Sequence, residues 1–439
     1  MALRGEVSDK MEYFKFRDNI LFGNQVVAEN GGSATHANLR GQDSENGKVQ
    51  LPFEADAIID NLRLERYVHS SDRSHPANSF AGRAYYYVRP LLPVNVRYRL
   101  QKLHLRGWDR IEFPHWPVDQ TVDNTMADLL LLCRRAHNVE RIPFVWFWPD
   151  GATSAAVVTH DVETAYGRDL CGTIMDIDDG FGIKASFQVV PERRYKVTPN
   201  YIDRIWRRGF EVAVHDLNHD GHLYSDRETF RRRAVKINEY RKKYRADGFR
   251  AAVLYRNQEW YDSLDFSYDS SVPNVAHLDP QRGGCCTVMP YFVGDLVELP
   301  VTLTQDYSLF HILGDYSIDL WKRQIDLIMQ NHGLINVIIH PDYATTPKER
   351  AIVEQLLSHL AIMRDEKNVW AALPKDVARW WKQRNGMRII EDEYGRRIEG
   401  EGNERARLAY ASERDGKLVF EICSAGNQSL TQNSHSIAN

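Results

Sequence analysis

The sequence has little that would cross-link the chain or carry it through a bilayer. Its 439 residues include five cysteines, Cys133, Cys171, Cys285, Cys286 and Cys423. No CxxC pair occurs, and the adjacency of Cys285 and Cys286 disfavours a simple disulfide between them, so the expectation is reduced thiols. No apolar run reaches the length needed to span a membrane. The opening MALRGEVSDKMEYFKF lacks the apolar stretch of a secretory signal, which gives the expectation of a cytoplasmic protein with no signal peptide or transmembrane helix. Neither sign of charge is in excess: 56 Lys and Arg against 60 Asp and Glu leave a net −4. That excludes binding to nucleic acid through a strong positive field. There is also no internal repeat.

What remains is an ordinary globular composition, 43% hydrophobic and 26% charged. At about 150 residues per domain the length allows two or three units. Three regions are expected: an N-terminal, α-rich extension over 1–150, a main domain over 151–385, and a small β extension with a tail over 386–439. Within the first, 29–49 is Gly-, Ser- and Asn-rich and reads as a flexible loop, and 55–67 reads as a helix. Residues 82–110 are aromatic and basic, with a basic amphipathic helix over 95–106. That segment is expected to pack across the bottom of the main domain; the alternative is contact with a membrane surface or an anionic glycan. At the other end, 386–404 is charged and shows no regular pattern, while 406–422 reads as a hairpin turning at Asp415-Gly416.

From Ser154 the rhythm changes. Short β-branched runs recur: AAVVTH (155–160), KASFQVV (184–190), FEVAVH (210–215), FRAAVL (249–254), LVELPV (296–301), INVIIH (335–340) and VWAAL (369–373). Helix-like segments over 200–208, 227–244, 318–331, 348–364 and 375–384 separate several of them. Near-continuous apolar strands alternating with helices predict a parallel sheet covered on its outer face. The fold class is therefore α/β, a distorted or incomplete (β/α) barrel of TIM type, with an open doubly wound sheet as the alternative.

Three of these runs end in ionisable residues, and strand C-termini are where such barrels place their chemistry. The first runs into Thr159-His160-Asp161-Val162-Glu163, the third into His215-Asp216-Leu217-Asn218-His219, and the sixth into His340-Pro341-Asp342. If the chain turns helically after His215, then His215 and His219, four apart, lie on one face and can share a metal. Asp161 and Glu163 lie on one side of an extended strand end, so that one can bind metal while the other takes a proton from water. Each pair alone is a weak signal; their order, each behind its own strand, is stronger. The plain readings are loop carboxylates, helix-capping histidines, a structural Arg250 and a packed His340. His222, His277, His311 and His332 read as surface or packing residues. Trp260-Tyr261 reads as core or rim packing, with a sugar platform as the alternative.

The ordered set resembles the polysaccharide deacetylases that share the NodB homology domain. THDVE (159–163) is similar to that family's Asp-x-Asp/Glu motif, His215 and His219 to its His-x-x-x-His, GFRAAVLYRN (248–257) to its Arg motif, Tyr268-Asp269-Ser270-Ser271 to its YDSS segment, and INVIIH to its last strand. The resemblance covers roughly 150–385. It implies a divalent metal, with zinc favoured by the donor set, held by Glu163, His215 and His219. It implies Asp161 as general base, Arg250 as its partner, His340 as general acid, and Asp269 as a residue that lines the site or orients His340. The activity implied is removal of an N-acetyl group from an amino sugar or polysaccharide. The alternatives are hydrolysis of another small amide, or a catalytically weak glycan-binding accessory protein of a polysaccharide-assembly system. Two positions depart from the pattern: Glu163 stands where Asp is commoner, and Ala252 where Pro is usual. His160 and Asp216 have no assigned role.

Overall fold

The computed structural model describes residues 6–7, 11–24, 26–27, 51, 53–68, 94–393 and 395–423. The flexible loop expected at 29–49, the first part of the aromatic-basic segment and the C-terminal tail lie outside these. The chain divides into two compact units. Among the described residues the first takes in those up to Thr125 together with Thr153–Ala378, and the second takes in Met126–Ala152 with the residues from Arg379 onward.

The first unit is built on a curled, nine-stranded sheet. In chain order its strands are β1 (Ser154–Val162), β2 (Ser186–Val189), β3 (Glu211–His215), β4 (Gly248–Arg250), β5 (Tyr268–Asp269), β6 (Tyr291–Val293), β7 (Leu296–Glu298), β8 (Leu334–Ile339) and β9 (Val369–Ala371). The spatial order is β6-β7-β5-β4-β3-β2-β1-β8, with β9 pairing against Ser154–Ala156 of β1. All pairs are parallel except β6 with β7 at the edge. This is the incomplete α/β barrel expected from the apolar runs.

The curl nearly closes. Past β7, the Thr302 and Leu303 amides donate to the Asn336 carbonyl at 3.2 and 3.1 Å. The Asn336 side chain reaches back to the Leu299 and Pro300 carbonyls at 3.1 and 3.0 Å. A buried amide inside the apolar run of β8 thus bridges the gap where ladder pairing stops.

The covering helices are α1 (Ala165–Gly180), α2 (Pro199–Arg207), α3 (Arg227–Tyr244), α4 (Asp319–Gln330) and α5 (Pro347–Lys367). Local signals set their starts. Thr164, Thr198, Asp226 and Thr346 each accept an amide of the first turn, and Thr346 forms a capping box with Glu349. Pro199 and Pro347 sit in the first turns of α2 and α5, where no amide is needed. Every residue of β1 is buried, and Phe187, Val212, Phe249 and Val337 of neighbouring strands are fully buried in the same core. Each large apolar side chain buried this way contributes about 1.5–3 kcal/mol.

Helix α1 was not foreseen. Its Gly167, Gly172 and Gly180 depress helix propensity, and the Thr164 cap and the packing of Cys171, Ile174 and Met175 override that. The run FRAAVL leaves the sheet at Arg250 and makes a 3₁₀ turn over Ala252–Leu254. Near the N-terminus a hairpin of Glu12–Phe16 and Asn19–Gly23 adds strands to a region expected to be helical, whereas the helix Ala55–Arg63 stands as expected.

In the second unit Leu408–Arg414 pairs with Lys417–Ile422 around Asp415-Gly416, both at positive φ (52° and 76°), as the hairpin reading required. Ile142–Val145 adds a third strand. Residues 386–404, read as patternless, hold a second hairpin of Arg388–Asp392 and Gly395–Glu399. Its charges are the exposed faces of a two-stranded ribbon. All five cysteines are free. Among the described residues no helix is long and apolar enough to cross a membrane.

Candidate metal centre and catalytic cleft

The ends of β1, β3, β4 and β8 bring together Asp161, Glu163, His215, His219, Arg250 and His340. The ligand atoms of Glu163, His215 and His219 lie within 4.8 Å of one another. His219 Nε2 is 3.0 Å from Glu163 Oε1. His215 Nδ1 donates to the Arg250 carbonyl at 3.1 Å, which leaves its Nε2 lone pair directed away from that bond. The Nε2 atom of His215 is buried with no hydrogen-bond partner, and that of His219 is buried with only the Glu163 carboxylate beside it. A buried imidazole nitrogen left without a partner is costly in a closed protein, and two imidazoles converging on a carboxylate are what a divalent ion requires. The residues present therefore fit a two-His, one-carboxylate site.

The loop carrying His219 is not the helical turn expected from the four-residue spacing. Asp216 and His219 both sit at positive φ, 56° and 53°, and no helix begins before Arg227. The two rings meet with centroids 4.8 Å apart because the chain doubles back sharply. Asp216 serves that loop: its Oδ1 accepts the Leu217 amide at 2.6 Å, which stabilises the left-handed turn.

Asp161 is held from behind. Arg250 Nη1 donates to Asp161 Oδ1 and to Thr159 Oγ1, both at 2.7 Å. Its Nε and Nη2 donate to the Ser270 carbonyl and hydroxyl at 2.7 and 2.9 Å. Asp161 Oδ2 is left free and lies 3.7 Å from His215 Nε2. Burial raises the pKa of Asp161, yet the Arg250 guanidinium outweighs it, and the carboxyl stays below its usual range. Glu163 is likewise opposed by burial and held well below its usual range by His219 and His340. Burial dominates at His215, whose pKa falls to about 4, so the imidazole is neutral as a ligand must be.

His340 approaches from β8, its Nε2 3.6 Å from Glu163 Oε1. Its Nδ1 lies 2.6 Å from Asp306 Oδ1, and its amide donates to Asp306 Oδ2 at 2.7 Å. Burial works against a charge on this ring, but Asp306 and Glu163 outweigh it and raise the pKa well above the ordinary value. Asp306 was not among the expected site residues. The orienting role expected of Asp269 falls to it. Asp269 is buried elsewhere, holding Tyr261 Oη at 3.0 Å and the Ser271 amide and hydroxyl at 2.9 Å each. The signal for Asp306 was faint: a single Asp in TLTQDY, several residues past a strand that ends at Glu298.

The cleft above these groups is lined by Glu163, Thr164, Arg194, His219, Val253, His340, Asp342 and Tyr343, and by Gln101 and His104 from the helix Val94–His104. That helix was expected beneath the barrel. It lies instead at the mouth, where Tyr307 Oη donates to Gln101 Oε1. An amphipathic pattern marks a face to be covered, not the end of the barrel that it covers. After Arg250 the loop with Ala252 in place of proline puts Val253, which lines the cleft, at φ 60°, a conformation a β-branched residue rarely adopts.

Trp260 is partly buried against Tyr224 and Phe230, and Tyr261 is buried with its hydroxyl on Asp269, so the pair packs as rim and core. His160 has a structural role: its Nε2 lies 2.9 Å from Asp178 Oδ2 of α1 and its Nδ1 3.2 Å from the Ile339 carbonyl.

No family model matches the sequence, and no curated protein matches it. Solved structures resemble it in chain path. A protein from Mycobacterium smegmatis classed provisionally as a polysaccharide deacetylase is 23% identical, over 54% of this chain and 93% of its own, at a TM-score of 0.45. Puue allantoinase is 14% identical over 53% and 92%, at 0.43. The peptidoglycan deacetylase PdaC from Bacillus subtilis is 12% identical over 54% and 96%, at 0.34. Likeness of this degree concerns chain path and says nothing of the chemistry at this chain's cleft.

Proposed function

We propose that the chain is a divalent-metal-dependent hydrolase that removes the acetyl group from an N-acetylated sugar or glycan. One observation carries the reading: the Nε2 atoms of His215 and His219 converge with Glu163, beside an Arg250-held Asp161 and an Asp306-held His340. Glu163, His215 and His219 would hold the ion, and zinc suits that donor set. When bound, the ion supplies Lewis-acid polarisation of a carbonyl and makes water more acidic.

The remaining work falls to side chains. Asp161 keeps Oδ2 free to accept the proton of the attacking water, while Arg250 holds Oδ1 and keeps the carboxylate charged. An amine leaves poorly unless protonated, and His340 presents Nε2 to the cleft with its charge supported by Asp306. The base is thus kept deprotonated and the acid protonated.

The reading is tested by acetate release from N-acetylglucosamine oligomers under single-turnover conditions with zinc-loaded protein. Release that disappears on chelation and returns with zinc is expected. No release from any N-acetylated sugar by fully loaded protein would sink the proposal.

A further inference from the structure

Among the described residues that line the cleft, Arg194 is the one side chain with a permanent positive charge. The loop that carries it is tightly pinned. Tyr195 Oη donates to the Val162 carbonyl at 2.7 Å and accepts the Val190 amide at 3.0 Å, and the Glu192 amide donates to the Leu217 carbonyl at 2.9 Å. Arg194 Nε then donates to the main-chain carbonyl of Glu163 at 2.8 Å. One edge of the guanidinium is thereby fixed against the residue that anchors the metal site. The Nη nitrogens have no partner among the described residues.

No described carboxylate pairs with this arginine. Asp342, the other acid in the cleft, is engaged by Thr164 Oγ1 and by the Glu163 amide at 3.3 Å. An oriented guanidinium with a free fork matches the two oxygens of a carboxylate or a phosphate. A neutral sugar gives it nothing comparable to bind.

We propose that Arg194 binds an anionic substituent of the substrate, a carboxylate or a phosphate, so that the cleft selects acidic N-acetylated sugars over neutral ones. This rests on the deacetylase reading of the same site.

The test measures binding of three probes to zinc-loaded protein by calorimetry. The probes are the neutral trisaccharide of N-acetylglucosamine, a tetrasaccharide alternating glucuronate and N-acetylglucosamine, and N-acetylglucosamine 6-phosphate. At least one acidic probe is expected to bind more tightly than the neutral one, and which one does so distinguishes carboxylate from phosphate. Arg194→Gln should lower the ratio of acidic to neutral affinity by about tenfold. Arg194→Lys should recover only part of it, because an ammonium offers a point charge and no fork. An acidic preference that is absent in the native protein, or that is the same in Arg194→Gln, overturns the proposal. Acetate release measured on the same samples separates the two ideas. An Arg194-dependent preference without acetate release leaves the anion site standing and removes the deacetylase. Release with no Arg194-dependent preference does the reverse.

Discussion

At the scale of single residues, the two carboxylates of THDVE are chemically alike and structurally different. Asp161 is gripped by Arg250 and keeps one free oxygen, whereas Glu163 points at His219. Asp161→Asn keeps the shape, keeps a hydrogen-bonding group near Arg250 and removes the proton acceptor. It should retain zinc and slow the chemical step by about 10²–10⁴-fold. Glu163→Gln should weaken zinc binding, with the rate partly restored by excess zinc. If Asp161→Asn loses the metal and Glu163→Gln keeps it but is inactive, the roles are exchanged. Asp306 makes a separate point. Asp306→Asn removes the charge that favours protonated His340, so turnover should fall by about tenfold or more while zinc affinity changes little. Unchanged turnover in that variant would show that His340 does not act as the acid.

At the scale of elements, the strand ends position the chemistry and the loops after them refine it. Helix α1 passes so close to the loop after β8 that a Cβ on Gly167 would lie 2.1 Å from Asp342 Oδ2. Asp342 in turn holds Thr164 and the Glu163 amide, so Gly167→Ala should push Asp342 off this turn. A destabilisation of about 1–3 kcal/mol is expected, together with weaker zinc binding. Gly172→Ala on the same helix meets nothing within 4 Å and should stabilise by about 0.5–1 kcal/mol. If the two substitutions behave alike in thermal melts and zinc titrations, the close approach is not what Gly167 is for.

The same elements show what could be read from sequence. Apolar runs that end in Asp161, Glu163, His215 and His340 announced strands with chemistry at their tips, because a buried β-branched run and an ionisable terminus are both local signals. Helix α1 was hidden because Gly167 serves a contact with a residue far along the chain. Asp306 was hidden because its partner, His340, is also distant in sequence. The bend at Asp216 and His219 was hidden because left-handed φ is not written in Asp or His. The role of Asn336 was hidden because the carbonyls it reaches, Leu299 and Pro300, are distant in sequence. Arg194 gave no signal, since a lone arginine in a loop resembles any other.

At the scale of the molecule, the two ends of the barrel are tuned differently. At the opposite end of β3 from His215, Glu211 is fully buried, accepting Tyr268 Oη at 2.8 Å and the Lys375 amide at 3.1 Å. Burial pushes its pKa from 4.5 up to about 8, against those two hydrogen bonds. Between these pH values the folded chain holds a proton that the unfolded chain has released, so stability falls as pH rises through the window. Glu211→Gln removes the titration. The variant should melt with a flatter pH dependence between about pH 5 and pH 8, the native chain losing on the order of a few kcal/mol over that range. Parallel melting profiles for the two proteins would show that Glu211 is not the group responsible.

The account's central claim is that Glu163, His215 and His219 form one metal site, and zinc titration with direct metal analysis tests it most directly. One zinc per chain is predicted for the native protein. His215→Ala should weaken binding by about 100-fold or more, because two remaining protein ligands hold a divalent ion poorly. A native protein that takes up no stoichiometric metal, or a His215→Ala variant that keeps it at native affinity, would contradict the account.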